Sequence, residues 1–363
     1  MKMTPTLNGY LARRFAKNLV FLLGILLAIV FLFDTVELIR RASKREDIPL
    51  SLIFEMALLK LPEQGQIIFS FAILYSAMLT FWQLSRRYEL VVVRAAGFSV
   101  WQFLLPIVSV AVLAGIVQMT IINPVSAVMV GRYQQLESRY IESLDTEIAI
   151  FREGLWLRQA SAEGYVIVHA PKIQQADWIL RTPVALFFNA QDQFIRRIDA
   201  QSAHLKQQRW IFDDSIVHDA EGSRPVGEYI VPTTLTQADV EESFSSPSSL
   251  SFWRLPGHIQ TLNETGFDSR RLQVYYQTML AQPLLFVAMV LIAAAVALRS
   301  PRAGQAVMMV VLGIGAGFIL FFLSSFLQAM GSSHQIPVVL AAWSPSFIAL
   351  LLGLSVMMRY EDG

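Results

Sequence analysis

Six stretches of this chain are apolar for too long to lie in a water-soluble domain. They run near 15–38, 62–83, 98–123, 273–298, 304–330 and 336–358. A helix needs roughly 20 residues to cross the hydrocarbon core of a bilayer, about 30 Å thick. In that core every backbone N–H and C=O must be satisfied inside the span, so the stretches are expected to be helices. The fifth, Ala306 to Met330, carries no charge at all. The second begins weakly at Pro62-Glu63-Gln64-Gly65-Gln66. The stretch before it, Leu50 to Leu61, carries Glu55 and Lys60 and reads as an interfacial helix or as a helical lead-in.

Composition agrees. Charged residues make up 16% of the 363, against about 25% in a soluble domain. A net charge of +1 argues against a nucleic-acid binder. The absence of cysteine excludes disulfides, cysteine-based zinc sites and a cysteine nucleophile. Met1 to Lys17 holds four basic residues and no acid, and the apolar run then continues to Phe33. That pattern reads as a retained first helix and not as a cleaved signal.

Between the third and fourth apolar stretches the pattern changes. From about 150 to 245 short alternating runs appear, such as Tyr165 to His169, Val184 to Phe188 and Trp210 to Phe212. Turn-like breaks separate them at Glu163-Gly164, Gln191-Asp192, Gln207-Gln208 and Glu221-Gly222-Ser223. Regular short strands of this kind predict an antiparallel sandwich or open barrel. The expected fold is therefore an α-helical polytopic membrane protein with six transmembrane helices and an inserted β domain. The expected divisions are 1–145, 146–250 and 251–363, with a polar segment from Ser251 to Arg271 leading back to the membrane.

Short loops orient the chain. Arg86, Arg87 and Arg94 lie between stretches two and three, and Arg299 and Arg302 between four and five. The positive-inside rule places both termini in the cytoplasm and the β domain outside, periplasmic in a Gram-negative cell. One loop breaks the rule. Arg40, Arg41, Lys44 and Arg45 fall on the expected outer side, with Asp34, Glu37, Glu46 and Asp47 to balance them. They read either as i,i+3 and i,i+4 ion pairs on a helix that outruns the membrane, or as a basic collar for an anionic lipid headgroup.

Chemistry-bearing motifs are scarce. No G-x-x-x-x-G-K-[ST] phosphate loop occurs, so ATP hydrolysis is not expected here. Gly313, Gly315 and Gly317 mimic a dinucleotide motif but lie mid-membrane, where Gly313-x-x-x-Gly317 reads as a close-packing helix face. Lys17, Asp34 and Glu37 sit at the ends of the first span, and no buried carboxylate pair or histidine relay is visible. No catalytic residue, metal site or cofactor is expected. The segment LSRRYELVVVRAAGFSVW, 84–101, is the most informative. Arg86 and Arg87 anchor its start, Leu90, Val93 and Arg94 recur at helical spacing with Glu89 beside them, and Gly97 ends it. It reads as an ordinary amphipathic loop or as a short helix on which a soluble motor domain could act.

RRYELVVVRAAGFSVWQFLLP resembles the cytoplasmic coupling helix of the LptF/LptG permease family, the membrane subunits of the lipopolysaccharide-export ABC transporter. YLARRF, QTMLAQPLLFVAMVLIAAAVALRSPRAG and IPVVLAAWSPSFIALLLG are similar to that family's opening, re-entry segment and last helix. The QPLL and LRSPRAG region leans to the LptG side. The resemblance covers essentially the whole chain. It implies six helices and a periplasmic β-jellyroll, an LptB-like ATPase dimer, an LptF-like second permease, and LptC-like and LptA-like bridge proteins. Lipopolysaccharide would be the cargo.

Carried onto this sequence, the resemblance matches the coupling-helix glutamate to Glu89 and the basic and small positions after it to Arg94 and Gly97. Glu89 would then pair with an ATPase arginine, and Leu90 and Val93 would fill an apolar groove beside Arg87. Phosphates of the cargo need arginine or lysine. Arg40, Arg41, Lys44 and Arg45 are the candidates, joined by Arg132 and Arg139, while Phe31 and Phe318 are candidate walls of the acyl cavity. Where some relatives carry a lysine near the outer end of the first helix, this chain has Asp34. A membrane-anchored scaffold and a lipid-modifying enzyme are the competing classes. Six helices are excessive for the first, and no catalytic constellation supports the second.

Overall fold

A computed structural model describes residues 5–43, 48–141, 148–149, 155–161, 164–174, 179–189, 191–206, 209–233, 247–265, 268–298 and 306–361. Six helical spans are long and apolar enough to cross a membrane. The helices are α1 (Pro5–Ala42), α2 (Leu50–Arg86), α3 (Glu89–Ala95), α4 (Val100–Val117), α5 (Asn123–Tyr140), α6 (Leu255–Thr265), α7 (Arg270–Leu298), α8 (Ala306–Ser332) and α9 (Val338–Glu361). The chain divides into two compact units. One holds residues 1–136, 247–256 and 270–363; the other holds 137–246 and 257–269.

The helices outrun the apolar stretches that signal them. At 38 residues α1 is about 57 Å long, nearly twice the hydrocarbon thickness. The stretch Leu50 to Leu61 is the lead-in alternative, because α2 runs unbroken from Leu50 through Pro62.

The third span also continues past residue 123. A single π turn, Gln118–Ile122, joins α4 to α5. Its cause is legible in Pro124, the second residue of α5. Proline donates no N–H and its ring pushes away the carbonyl four residues earlier, here that of Thr120. The freed Thr120 carbonyl accepts the Trp253 indole N–H at 3.2 Å. Beside it, the buried Asn123 accepts the Phe252 backbone N–H at 2.7 Å. Asn123 also donates to Gln66 Oε1 at 3.3 Å and to the Tyr275 hydroxyl at 3.2 Å. Gln118 donates to the Gln66 carbonyl at 3.2 Å. This polar knot fastens the segment before α6 to the third and fourth spans.

Close helix approach makes the core. Helix α7 carries a buried row of Ala281, Ala288, Ala293, Ala294 and Ala297, and small residues are what let backbones meet in lipid. A Cβ on Gly115 of α4 would sit 2.8 Å from the Pro283 Cα of α7, and one on Gly353 of α9 would sit 2.8 Å from Leu291 Cβ. The Gly313-x-x-x-Gly317 face packs on α2: a Cβ would lie 2.5 Å from Met78 Sδ at Gly313 and 3.1 Å from Leu74 at Gly317. Gly315, off that face, meets nothing within 4 Å.

Among its described residues the second unit holds one antiparallel sheet of ten strands, ordered β1-β4-β5-β8-β9-β7-β6-β3-β2, with β10 on β9. The strands are β1 (Ile148–Ala149), β2 (Leu155–Ser161), β3 (Gly164–Ala170), β4 (Lys172–Gln174), β5 (Ile179–Arg181), β6 (Val184–Asn189), β7 (Phe194–Asp199), β8 (Ser202–Lys206), β9 (Arg209–Asp219) and β10 (Gly222–Pro232). Strand β9 is the fork. Its first half, Arg209 to Asp213, pairs with β8, and Ile216 to His218 pair with β7. Between the halves Asp214 takes a left-handed conformation (φ 49°), and Gly227 (φ 77°) does so on β10. Ser215 Oγ ties the two strands at the Gly227 carbonyl, 2.9 Å away. The bend sends two leaves apart from one strand, and alternating side chains fill the space between them. Val166, Val168, Ala185, Phe187 and Ile198 come from one leaf, Leu180, Ala203 and Leu205 from the other, and Trp210, Phe212 and Val217 from β9.

Replacing Gly115 by valine is expected to destabilise the helical unit by about 1–3 kcal/mol, because a backbone atom stands where the side chain would go. Gly315→Ala should be silent. Thermal melting in detergent compares the two.

Candidate functional site

Two polar sites mark opposite ends of the α1–α2 pair. At the first, α2 ends at Arg86 and the chain turns at once into α3. Tyr88 takes a left-handed conformation (φ 60°) and returns its N–H to the Ser85 carbonyl at 3.0 Å. Glycine is the usual residue there, so the tight turn carries some backbone strain. Helix α3 closes on Gly97 (φ 83°), and the Phe98 N–H reaches back to the Val93 carbonyl at 3.3 Å, the outer bond of a Schellman motif. The Gln102 side chain accepts the Ser99 N–H at 3.2 Å and starts α4. Seven helical residues are thus held between two sharp stops.

The short helix has an inner and an outer face. Leu90 is 7% exposed and belongs to the core with Leu11, Phe15 and Leu84, and Val93 packs against that core. Leu90 is thus turned into this chain, and Val93 partly so. The face turned outward holds Tyr88 (72%), Val91 (60%) and Val92 (66%), with Arg86 and Arg87 exposed beside it. Glu89 is paired within the chain. Its two carboxylate oxygens receive Arg14 Nη1 at 3.1 and 3.2 Å, and the Tyr10 hydroxyl donates to it at 3.0 Å. Arg14 also bonds Tyr10 and donates through Nε to Gln83 at 3.3 Å. Asn18 continues the row, donating to Thr80 at 2.8 Å.

At the other end lies the basic stretch. Arg40 and Arg41 both turn back to Glu37, at 2.7 and 3.1 Å. This is the i,i+3 and i,i+4 pairing the sequence allows, and all three side chains stay exposed. Arg132 pairs with Glu55 at 2.7 Å on the surface. Asp34 meets Lys60 of α2, Nζ to Oδ1 3.3 Å, and Lys60 lies 5.8 Å from the centre of the Tyr133 ring. A positive charge therefore stands at the level of Asp34, supplied by the neighbouring helix. The second carboxylate oxygen of Asp34 is buried with no hydrogen-bond partner among the described residues. Lys44 and Arg45 lie outside the described residues, as do the side chains of Arg94 and Arg139. Phe31 is half-buried against Phe54, ring centres 6.3 Å apart, and Phe318 is exposed on α8.

Sequence reasoning passes over Arg14, Asn18 and Lys60. A signal exists for the first two: Tyr10, Arg14 and Asn18 recur every four residues, one position before the apolar row Leu11, Phe15 and Leu19. Lys60 shares its stretch with Glu55, and nothing local marks it as the partner of Asp34.

The chain matches the family described as the lipopolysaccharide export system permease LptF/LptG over residues 9–359, and it belongs to that family. It is 26% identical over 313 residues to the lipopolysaccharide export system permease protein LptG of Escherichia coli strain K12, covering 83% of this chain and 84% of that one. It is 23% identical over 372 residues to the LptG protein of Haemophilus influenzae, covering 99% of this chain and all of that one.

Lys60→Met should strand a partly buried carboxylate and lower stability by about 1–3 kcal/mol. The swap Asp34→Lys with Lys60→Asp should recover most of it. Melting of the single and double variants measures the coupling.

Proposed function

We propose that the chain is a non-catalytic, LptG-like permease subunit that carries lipopolysaccharide out of the inner membrane, driven by an ATPase in a separate chain. The observation that carries this reading is α3. It is a short helix between two membrane spans with an apolar outer face of Tyr88, Val91 and Val92, flanked by Arg86 and Arg87. Apolar side chains inside a charged rim are the anatomy of a protein-binding knob. Positive loops favour a cytoplasmic place for it, where an LptB-like ATPase dimer would receive it. The β domain then stands in the periplasm, where it would pass lipid to LptC-like and LptA-like bridge proteins.

A second, LptF-like permease would complete the cavity. Helices α1 and α8 are the least covered of the six, with 11% and 17% of their most apolar window buried against 56% in α2. An acyl cavity lined by Phe31 of α1 and Phe318 of α8 fits that exposure. At the outer level Arg40 uses two of its N–H donors on Glu37, and a guanidinium has five. The remaining three can take a phosphate without breaking the pair. Arg41, Lys44, Arg45, Arg132 and Arg139 would join it.

Co-expression and mass spectrometry test the reading: the chain should purify with an ATPase subunit and a second permease. Val92→Glu should weaken the ATPase contact by on the order of 2 kcal/mol, as loss of a central anchor does. A wild-type chain that purifies alone would overturn the proposal. Reversing Arg40 and Arg41 to glutamate should reduce ATPase stimulation by lipopolysaccharide and leave assembly intact.

A further inference from the structure

Helices α1 and α2 run antiparallel, as the contacts Arg14 to Gln83, Asn18 to Thr80 and Asp34 to Lys60 require. Arg13 and Lys17 lie one residue before and three residues after Arg14. Trp82 and Arg86 stand in the same relation to Gln83. Each is turned about 60–100° from the contact row, in the same sense. A two-fold axis relates two antiparallel helices, so these four side chains open on one side of the pair. The opposite side carries Leu11, Phe15, Leu19 and Leu84, which belong to the core.

The open side is basic and has no counter-charge of its own. Arg13, Lys17 and Arg86 are exposed, and none pairs with a carboxylate among the described residues. Residues 1–33 contain no acid, and residues 64–136 contain only Glu89, which Arg14 takes. The Arg86 guanidinium folds back along α2, away from α3, and lies 5.3 Å from the centre of the half-buried Trp82 ring. About one turn further along α1 the same side becomes apolar, with Val20 and Phe21 exposed. Cations, then a tryptophan, then bare apolar surface is the order met on passing from headgroups into hydrocarbon.

We infer that Arg13, Lys17 and Arg86, beside Trp82, hold the phosphate of an anionic phospholipid of the cytoplasmic leaflet, whose chains lie along Val20 and Phe21. Basic clefts between helices on that side of a membrane attract such headgroups. Two guanidiniums and an ammonium offer charge-assisted donors from two helices at once, and arginine forks suit phosphate oxygens. A soluble acidic segment would match the charge and leave the apolar surface below it unused; a phospholipid matches both. The leaflet follows from the orientation proposed above. The chemistry of the site needs neither the ATPase nor the cargo, so it stands or falls apart from them.

The test places the full chain in phosphatidylcholine vesicles that carry a small, equal fraction of brominated phosphatidylglycerol or brominated phosphatidylcholine. Bromine quenches nearby tryptophans, and subtracting the signal of Trp82→Phe isolates the share of Trp82. Phosphatidylglycerol should be preferred by about tenfold or more, and Arg13→Gln or Lys17→Gln should each cut the preference about fivefold, the worth of one basic residue near an anionic leaflet. The double variant R13Q/K17Q should abolish it. Arg254→Gln, which removes an exposed arginine near Trp253, should leave it unchanged. Equal quenching by the two lipids, an undiminished preference in R13Q/K17Q, or an equal loss in Arg254→Gln overturns the inference. Displacement of phosphatidylglycerol by an equal concentration of lipopolysaccharide would also overturn it, by giving the cluster to the cargo. Loss of the Trp82 signal once a second permease is bound would give the face to protein instead.

Discussion

The helical unit depends on backbones that meet without side chains between them. Lipid tails are as apolar as leucine, so helices gain nothing by hiding leucines from lipid, and contact at short range has to hold them. Here that contact centres on α7, which takes Gly115 of α4 on one side and Gly353 of α9 on another. The Gly313–Gly317 face of α8 uses the same device on α2. A packed centre of this kind leaves α1 at the margin, with one face on α2. Polar contacts supply what close packing does not. Arg14, Asn18 and Asp34 each find a partner on α2 or α3, and together they fix the register of α1.

The same physics explains the π turn. A proline in a membrane helix frees a carbonyl that lipid cannot satisfy. At Pro124 the freed carbonyl is that of Thr120, and the indole of Trp253 answers it. The segment that returns the chain to the membrane is thereby fastened at a spot the helix itself created. Trp253 is 65% exposed, an amphipathic ring with its polar edge already bonded, as suits a membrane–water boundary.

Much of this was legible in advance. Six spans, the inserted β region and the packing role of Gly313 and Gly317 follow from apolar length, alternation and spacing. Helix ends were not, because a helix does not stop where hydrophobicity stops, and α5 is mostly polar. The π turn was hidden in Asn123-Pro124, which reads like a simple stop. The faces of α3 were hidden for another reason. Leu90, Val91, Val92 and Val93 are all apolar, so no moment in ELVVVRA separates the buried side from the open one. Only the turn at Tyr88 decides it. Pairs such as Arg14–Glu89 and Asp34–Lys60 join residues 75 and 26 positions apart, and charge alone does not choose among the candidates. The fork in β9 needed the left-handed Asp214, a residue that tolerates that conformation but does not announce it.

Proline placement divides the helices by how far they are covered. Interior prolines occur in α2 (Pro62), α4 (Pro106), α7 (Pro283) and α9 (Pro345). These form the packed centre, where neighbouring helices surround the weakened turns. Helices α1 and α8 have none after their first residue, and they are the two least covered spans. An uncovered helix facing lipid has no neighbour to satisfy a freed carbonyl, so its hydrogen-bond ladder has to stay whole. An unbroken ladder is also a stiff one. The need to survive in lipid thus accounts for two proline-free interiors in the least covered spans.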